Sequence, residues 1–368
     1  MTSASLTEVA VEAVDAAAYT IATDAPESDG TLEWDSTTIV IAEIRAGGET
    51  GLGYTYGNRA IATLIRTKLA DVVVGRDPMD VAGTWHRMGV ELRNEGHDGH
   101  AMMAVSAVDV ALWDLKARLL GLPVVALLNT ARDDVPVYGS GGFTSYTDER
   151  IAEQLAGWVE QGIPRVKMKI SRRPEEDPHR LNAARKAIGD EAELFVDANG
   201  ALSRTDAIAW AHRLRSEWDV RWFEEPVSSD DVEGLRLVRD HRPGGLEVAA
   251  GEYGYAIWNF RRWVDAVDCL QADVTRCGGF TGILDVAGLC RAHDLDLSGH
   301  CAPQVSAHVL CAVGPLRHLE YFHDHVRIER MLFDGTLEPR DGRLRPDRSR
   351  DGLGLELKRA DVERYRVG

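Results

Sequence analysis

The apolar positions along this chain change rhythm twice. Residues 7–21 (TEVAVEAVDAAAYTI) predict an extended segment, and the polar stretch from Ala22 to Trp34, rich in Asp, Glu, Ser and Pro, predicts a loop. The β-branched run DSTTIVIAEIRA, the turn GGETG and the segment GLGYTYG predict an antiparallel hairpin. Helical patterns fill residues 58–121. The clearest is AMMAVSAVDVALWDLKARLLG, where Val105, Val108, Leu112, Leu115 and Leu119 recur three or four apart on one face. Gly121 followed by Pro123 supplies its stop. Residues 1–130 therefore read as an α+β unit. From 131 to 325 short apolar runs alternate with longer amphipathic stretches. Eight runs stand out: VPVYGSGG, RVKMKI, ELFVDANG, RWFEEP, LEVAAGE, CLQADVTRCGG, LDLSGHCA and HLEYF. Such alternation predicts βα repeats. Residues 326–368 lose the rhythm and read as turns and short strands that return to the first unit or close the barrel.

Composition narrows the partners. The net charge of −17 leaves no basic stripe for nucleic acid or an anionic membrane surface. No run of about 18 apolar residues predicts a membrane span, and the opening MTSASLTEVAVEAVD has no cationic segment before an apolar one. The five cysteines form no CxxC pair. They read as reduced thiols, and the chain as cytoplasmic.

The chemistry sits at the ends of the predicted strands: Lys167 and Lys169, Asp197, Glu224, Glu252, Asp273, His300 and Glu320. From Lys169 onward they recur every 20 to 28 residues, about one βα unit each, which places them together at the C-terminal mouth of a barrel. Side chains alternate along a strand, so Lys167 and Lys169 share one face, as do Asp197 and Asn199. Asp197, Glu224 and Glu252 are three carboxylates without Cys or His among them, a donor set suited to a hard cation such as Mg²⁺. Lys169, its pKa lowered by Lys167 and the metal, and His300, oriented by Asp273, could flank a carbon whose proton is to be removed, giving an enediolate. Glu320 could hydrogen-bond the substrate carboxylate.

Singly, each motif has a plainer reading: a solvated strand end for the lysines, a turn for DANG, an acidic turn before proline for EEP, a hydrogen-bonded structural histidine for His300. The set at one-unit spacing argues for function. His97 and His100 read as loop residues and His308 as core. A scaffold that inherited the barrel would be expected to have lost some of these side chains.

The residues VKMKI, FVDANG, WFEEP, AAGE, LQADVTRCGG and SGHCAP, after the helix AVSAVDVALWDLKARLLGLPVVALL, resemble the enolase superfamily and within it the mandelate racemase subgroup. The resemblance spans nearly the whole chain. It implies a (β/α)₇β barrel, TIM-like, behind an N-terminal α+β capping domain. It also implies Mg²⁺ on Asp197, Glu224 and Glu252, Lys169 as the base on one face, the Asp273–His300 dyad on the other, and Glu320 at the substrate carboxylate. The muconate-lactonizing and dipeptide-epimerase branch carries lysine where this chain has Asp273, and enolase proper lacks the arrangement. Within the subgroup both racemases and acid-sugar dehydratases begin with α-proton abstraction. The resemblance favours dehydration of an aldonate or aldarate to a 2-keto-3-deoxy acid, with racemisation or epimerisation of a 2-hydroxy acid as the alternative. It implies the Ala22–Trp34 and Gly53–Asn58 segments as lids, with Tyr54, Tyr56 and Asn199 at the substrate. It implies a homo-oligomer, dimer or octamer. The roles of Arg276 and of the individual lid residues stay open.

Overall fold

The computed structural model describes residues 9–367; residues 7 and 8 of the predicted first extended segment, and the opening octapeptide, lie outside them. Three antiparallel strands come first: β1 (Ala13–Ser28), β2 (Glu33–Ala46) and β3 (Glu49–Tyr56). The stretch 22–34, read from sequence as a loop, is instead the end of a strand hairpin. β1 pairs with β2 from Ala13 to Ala22 and again at Glu27 and Ser28, where four residues of β1 stand against one of β2. Backbone pairing overrides the polar composition there, and the bulge absorbs Asp24 and Pro26.

Helix α1 (His100–Leu120) lies across this sheet. Val105, Val108, Leu112 and Leu115 are buried as predicted, but so are Ser106, Asp109 and Asp114. The helix is enclosed because β3 packs on one side and a barrel helix on the other. Gly51 and Gly53 of β3 permit the close approach: a Cβ at either would lie about 2 Å from a carbonyl oxygen of α1.

The second unit is a closed barrel of eight parallel strands: β4 (Val135–Gly141), β5 (Arg165–Lys169), β6 (Glu193–Asp197), β7 (Val220–Glu224), β8 (Glu247–Ala250), β9 (Cys269–Asp273), β10 (Asp296–His300) and β11 (Leu316–Phe322). Closure is made by β11 pairing with β4. Seven helical segments connect them: α2 (Asp148–Glu160), α3 (Asp177–Ile188), α4 (Arg204–Trp218), α5 (Val232–His241), the single turn α6 (Ile257–Phe260), α7 (Gly279–Ala292) and α8 (Pro303–Leu310). This is the (β/α)₇β barrel with a β-rich cap. Helix α9 (His323–Leu332) follows β11 directly, and the two-residue strand β12 (Arg366–Val367) adds to the cap sheet beside β1.

Inside the barrel, strand parity sorts two layers. Tyr138, Phe195, Trp222, Ala249 and Cys269 form an apolar floor, with the His318 ring packed on three of its aromatics. Two residues further along their strands come Ser140, Asp197, Glu224 and, above His318, Glu320. Among the described residues no helix is long and apolar enough to cross a membrane.

Candidate active site

Register places the strand-end residues side by side. Lys169 is level with Asp197, Asp197 with Glu224, and Asp273 with His300. Glu252 follows the last residues of β8 through Gly251, whose φ of 132° and 2.3 Å Cβ approach to the Gln271 carbonyl exclude a side chain. The polypeptide turns inward there, and Glu252 joins the rim.

Asp197, Glu224 and Glu252 bring one carboxylate oxygen each within 4.8 Å of one another, and all three are buried. An all-oxygen set of this charge is what Mg²⁺ requires, so the residues present fit that ion. Lys167 is fully buried beneath them, 2.5 Å from Glu224 Oε1, 2.8 Å from Glu320 Oε1 and 3.6 Å from Asp197 Oδ2. Lys169 pairs with Asp197 Oδ2. Opposite, His300 Nδ1 donates to Asp273 Oδ2 at 2.8 Å. The other oxygen of Asp273 accepts from the backbone N–H and hydroxyl of Thr275, both at 2.7 Å. His300 Nε2 lies 3.1 Å from Glu252 Oε2 and 3.3 Å from Glu320 Oε2. Trp222 Nε1 donates to Glu224 Oε2 at 2.9 Å.

These contacts set the charges. Burial raises Glu224 to about 8 against the pull of Lys167. Burial acts on Glu252 and Glu320 too, but His300 and Lys169 hold the first below the usual carboxylate range, and Lys167 and His300 the second. Burial lowers His300, yet Cys301 and the carboxylates of Glu252 and Glu320 lift it well above its ordinary value. For Lys169 the protein's own charges act against the sequence expectation of a depressed pKa: burial lowers it, but Asp197 beside it raises it further than burial takes away.

A cavity of about 440 Å³ opens over this rim. Lys169, Asn199, Glu252, His300 and Glu320 line it from the barrel. Asp197, Glu224, Lys167 and Asp273 are beneath the surface and reach it only through those neighbours. Of the two tyrosines expected at the substrate, Tyr56 lines the cavity. Tyr54 does not; it is fully buried, with its hydroxyl donated to Glu329 at 2.6 Å. His97 is elsewhere, bonded to the Gly89 carbonyl, and His308 is fully buried.

Sequence reasoning left the role of Arg276 open and missed other wall residues. Arg276 reaches over the Tyr253 ring, its Nη1 3.2 Å from the Glu252 carbonyl oxygen. Cys301 Sγ is 3.4 Å from His300 Nε2. From the cap come Asp29, Trp34 and Asn58, within the two segments expected as lids, and Ser36, Thr37 and Thr38, outside them. Small hydroxyl side chains carry no signal in isolation, and only the fold brings them above β5 and β10. Glu225, buried with one oxygen lacking a hydrogen-bond partner, was legible only as the second acid of EEP.

Residues 150–362 match the family model described as enolase C-terminal domain-like, and residues 26–129 that of the mandelate racemase / muconate lactonizing enzyme N-terminal domain. The chain belongs to the mandelate racemase subgroup of the enolase superfamily. Like its relatives there, it is an enzyme. It is 34% identical over 330 residues to L-talarate/galactarate dehydratase of Salmonella typhimurium, covering 87% of this chain and 80% of the relative. A mandelate racemase/muconate lactonizing enzyme-like protein from Rubrobacter xylanophilus superposes with a TM-score of 0.96 at 56% identity, covering 97% of this chain and 100% of that one. A racemase from Streptomyces coelicolor, solved with bound magnesium, gives a TM-score of 0.90 at 30% identity over 97% of this superfamily member and 100% of its own chain.

Proposed function

We propose that this enzyme removes the α-proton of an acid sugar and expels the β-hydroxyl, giving a 2-keto-3-deoxy acid and water. The observation that carries the reading is the placement of Lys169 and His300 on opposite strands of one cavity with three carboxylates between them. Asp197, Glu224 and Glu252 hold Mg²⁺. Bound there, the ion supplies positive charge where the substrate carboxylate gathers negative charge. Lys169 and His300 face the α-carbon from two sides. One takes the proton from C2; the dyad, or Lys169, returns a proton to the departing C3 hydroxyl, which leaves as water; the enol then becomes the ketone. Asp273 fixes the ring of His300 through Nδ1, so Nε2 faces the cavity. Glu320 hydrogen-bonds the substrate carboxylate, and Asn199 and Tyr56 touch the sugar.

The cap wall supports a polyol. Ser36, Thr37, Thr38 and Asn58 are neutral hydrogen-bonding groups, and among the described residues Asp29 is the one charged side chain the cap adds to the lining. An acid sugar with an uncharged far end, an aldonate, fits that wall better than a diacid, whose second carboxylate would meet Asp29. The paired bases also permit racemisation, since a proton can be returned from the side opposite to its removal.

The test is incubation with Mg²⁺ and a panel of aldonates, aldarates and uronates in D₂O, read by NMR. A keto acid from one or a few sugars, lost by a factor of about 10²–10⁴ in Lys169→Ala or His300→Asn, establishes the dehydratase. Deuterium uptake at C2 without a keto acid establishes the racemase instead.

A further inference from the structure

A second cluster of ligating side chains lies away from the barrel mouth, where the cap hairpin meets the end of β11. Asp24 lies within the bulge in β1, Glu27 is the first paired residue after it, and His323 opens α9. One ligating atom from each lies within 4.8 Å of the others. Asp24 Oδ2 and His323 Nε2 are 3.1 Å apart. Ligands about 2.0–2.2 Å from a shared ion stand roughly 3 Å from each other when they are neighbours in its shell.

Glu27 is the decisive member. It is 0% exposed. Its Oε2 accepts from Trp34 Nε1 at 2.8 Å, but its Oε1 is buried with no hydrogen-bond partner. A buried carboxylate oxygen without a donor costs free energy, and a proton or a cation must compensate. The charges facing the cluster are mixed. Arg150 Nη2 is 3.1 Å from Asp24 Oδ1; Arg327 binds the Ala22 carbonyl and Asp324; Tyr146 stacks beneath Arg150. The two guanidinium groups temper affinity without removing the ligand set.

We infer that Asp24, Glu27 and His323 form a second divalent-cation site, of the kind that accepts imidazole together with carboxylate, such as Zn²⁺ or Mn²⁺. Mg²⁺ prefers oxygen donors and suits the barrel triad instead. The site acts as a latch. Trp34, held by Glu27, and Phe322, next to His323, both line the catalytic cavity. An ion there ties the cap hairpin to the barrel wall on that side.

The test is equilibrium dialysis of the intact enzyme against Zn²⁺ with Mg²⁺ in excess, with bound zinc counted by elemental analysis and a thermal shift recorded in parallel. The expected result is one Zn²⁺ per protomer and a higher Tm in wild type and in Asp197→Asn, with both lost in Glu27→Gln and His323→Ala. Glu27→Gln is nearly isosteric and keeps the inference testable if His323→Ala does not fold. Wild type that binds no zinc, or zinc retained by Glu27→Gln, would overturn it; in that case a proton satisfies Glu27 Oε1.

Discussion

Two sets of buried carboxylates in this molecule are held by different means. At the barrel mouth Glu252, Glu320 and Asp273 face cations, namely Lys167, Lys169, His300 and Arg276, and are held below the usual carboxylate range. Along the seam between cap and barrel, Glu329 and Asp109 are held by neutral donors. Tyr54 and Tyr56 donate to Glu329 at 2.6 and 3.4 Å, and the hydroxyl and N–H of Thr281 to Asp109 at 2.6 and 3.1 Å. Burial dominates there and lifts the two acids to about 8 and about 7. The seam uses carboxylic acids as uncharged glue. The mouth sets Glu252, Glu320 and Asp273 against cations, while burial lifts Glu224 and Glu225 beside them, acids that a bound cation would ionise.

The comparison can be broken first at Lys167. Its ammonium touches three carboxylates with no exposure, so Lys167→Met removes the cation they share and leaves Glu224 without its ion pair. The expected loss is about 3–5 kcal/mol in urea unfolding; a loss under 1 kcal/mol would show that the mouth tolerates its own repulsion. Next is the cation itself. Mg²⁺ at a hundredfold excess over its Kd should add about 2.7 kcal/mol of stability by mass action, reversed by chelation and absent in Asp197→Asn with Glu252→Gln. A thermal scan that ignores both Mg²⁺ and chelator would count against the triad.

The smallest effect belongs to the seam. Glu329 has a folded pKa of about 8 against an ordinary 4.5. Between those values the unfolded chain has released its proton while the folded chain keeps it. The stability from this group is therefore full below pH 4.5 and falls as pH rises through 8. Glu329→Gln, which mimics the protonated acid, should gain about 1–2 kcal/mol on wild type between pH 5 and pH 9. A gain that does not grow with pH would place an ionised carboxylate at the seam.

Much of the mouth was legible because strand parity and unit length are rigid rules. The gaps between Lys169, Asp197, Glu224, Glu252, Asp273, His300 and Glu320 transmit directly into neighbouring positions on a closed sheet. The cap was less legible. Hairpin pairing at Glu27 and Ser28 depends on backbone bonds that composition hides. Tyr54 and Tyr56 share a face by parity, yet Tyr56 reaches the cavity while Tyr54, two residues earlier on β3, is fully buried with its hydroxyl on Glu329 of α9. That partner lies 275 residues away, beyond any local pattern. Asp109 and Asp114 interrupt an apolar helix for a related reason: Thr281, which holds Asp109, and the backbone N–H groups of Leu52 and Leu353, which hold Asp114 beside its one-turn partner Arg118, belong to other parts of the chain.

The closure of β11 on β4 has a bearing on how the enzyme comes into being. Ser140 donates to Glu320 across 180 residues of intervening sequence, and the same strand pairing shuts the barrel. As the polypeptide emerges during synthesis, seven strands precede the one that seals the sheet, and the carboxylate that completes the ring of charge arrives with that seal. Until then β4 and β10 present open edges, a hazard for association between unfinished molecules. Catalytic competence and protection from aggregation are thus acquired in a single late event, and a slow step at β11 would delay both together.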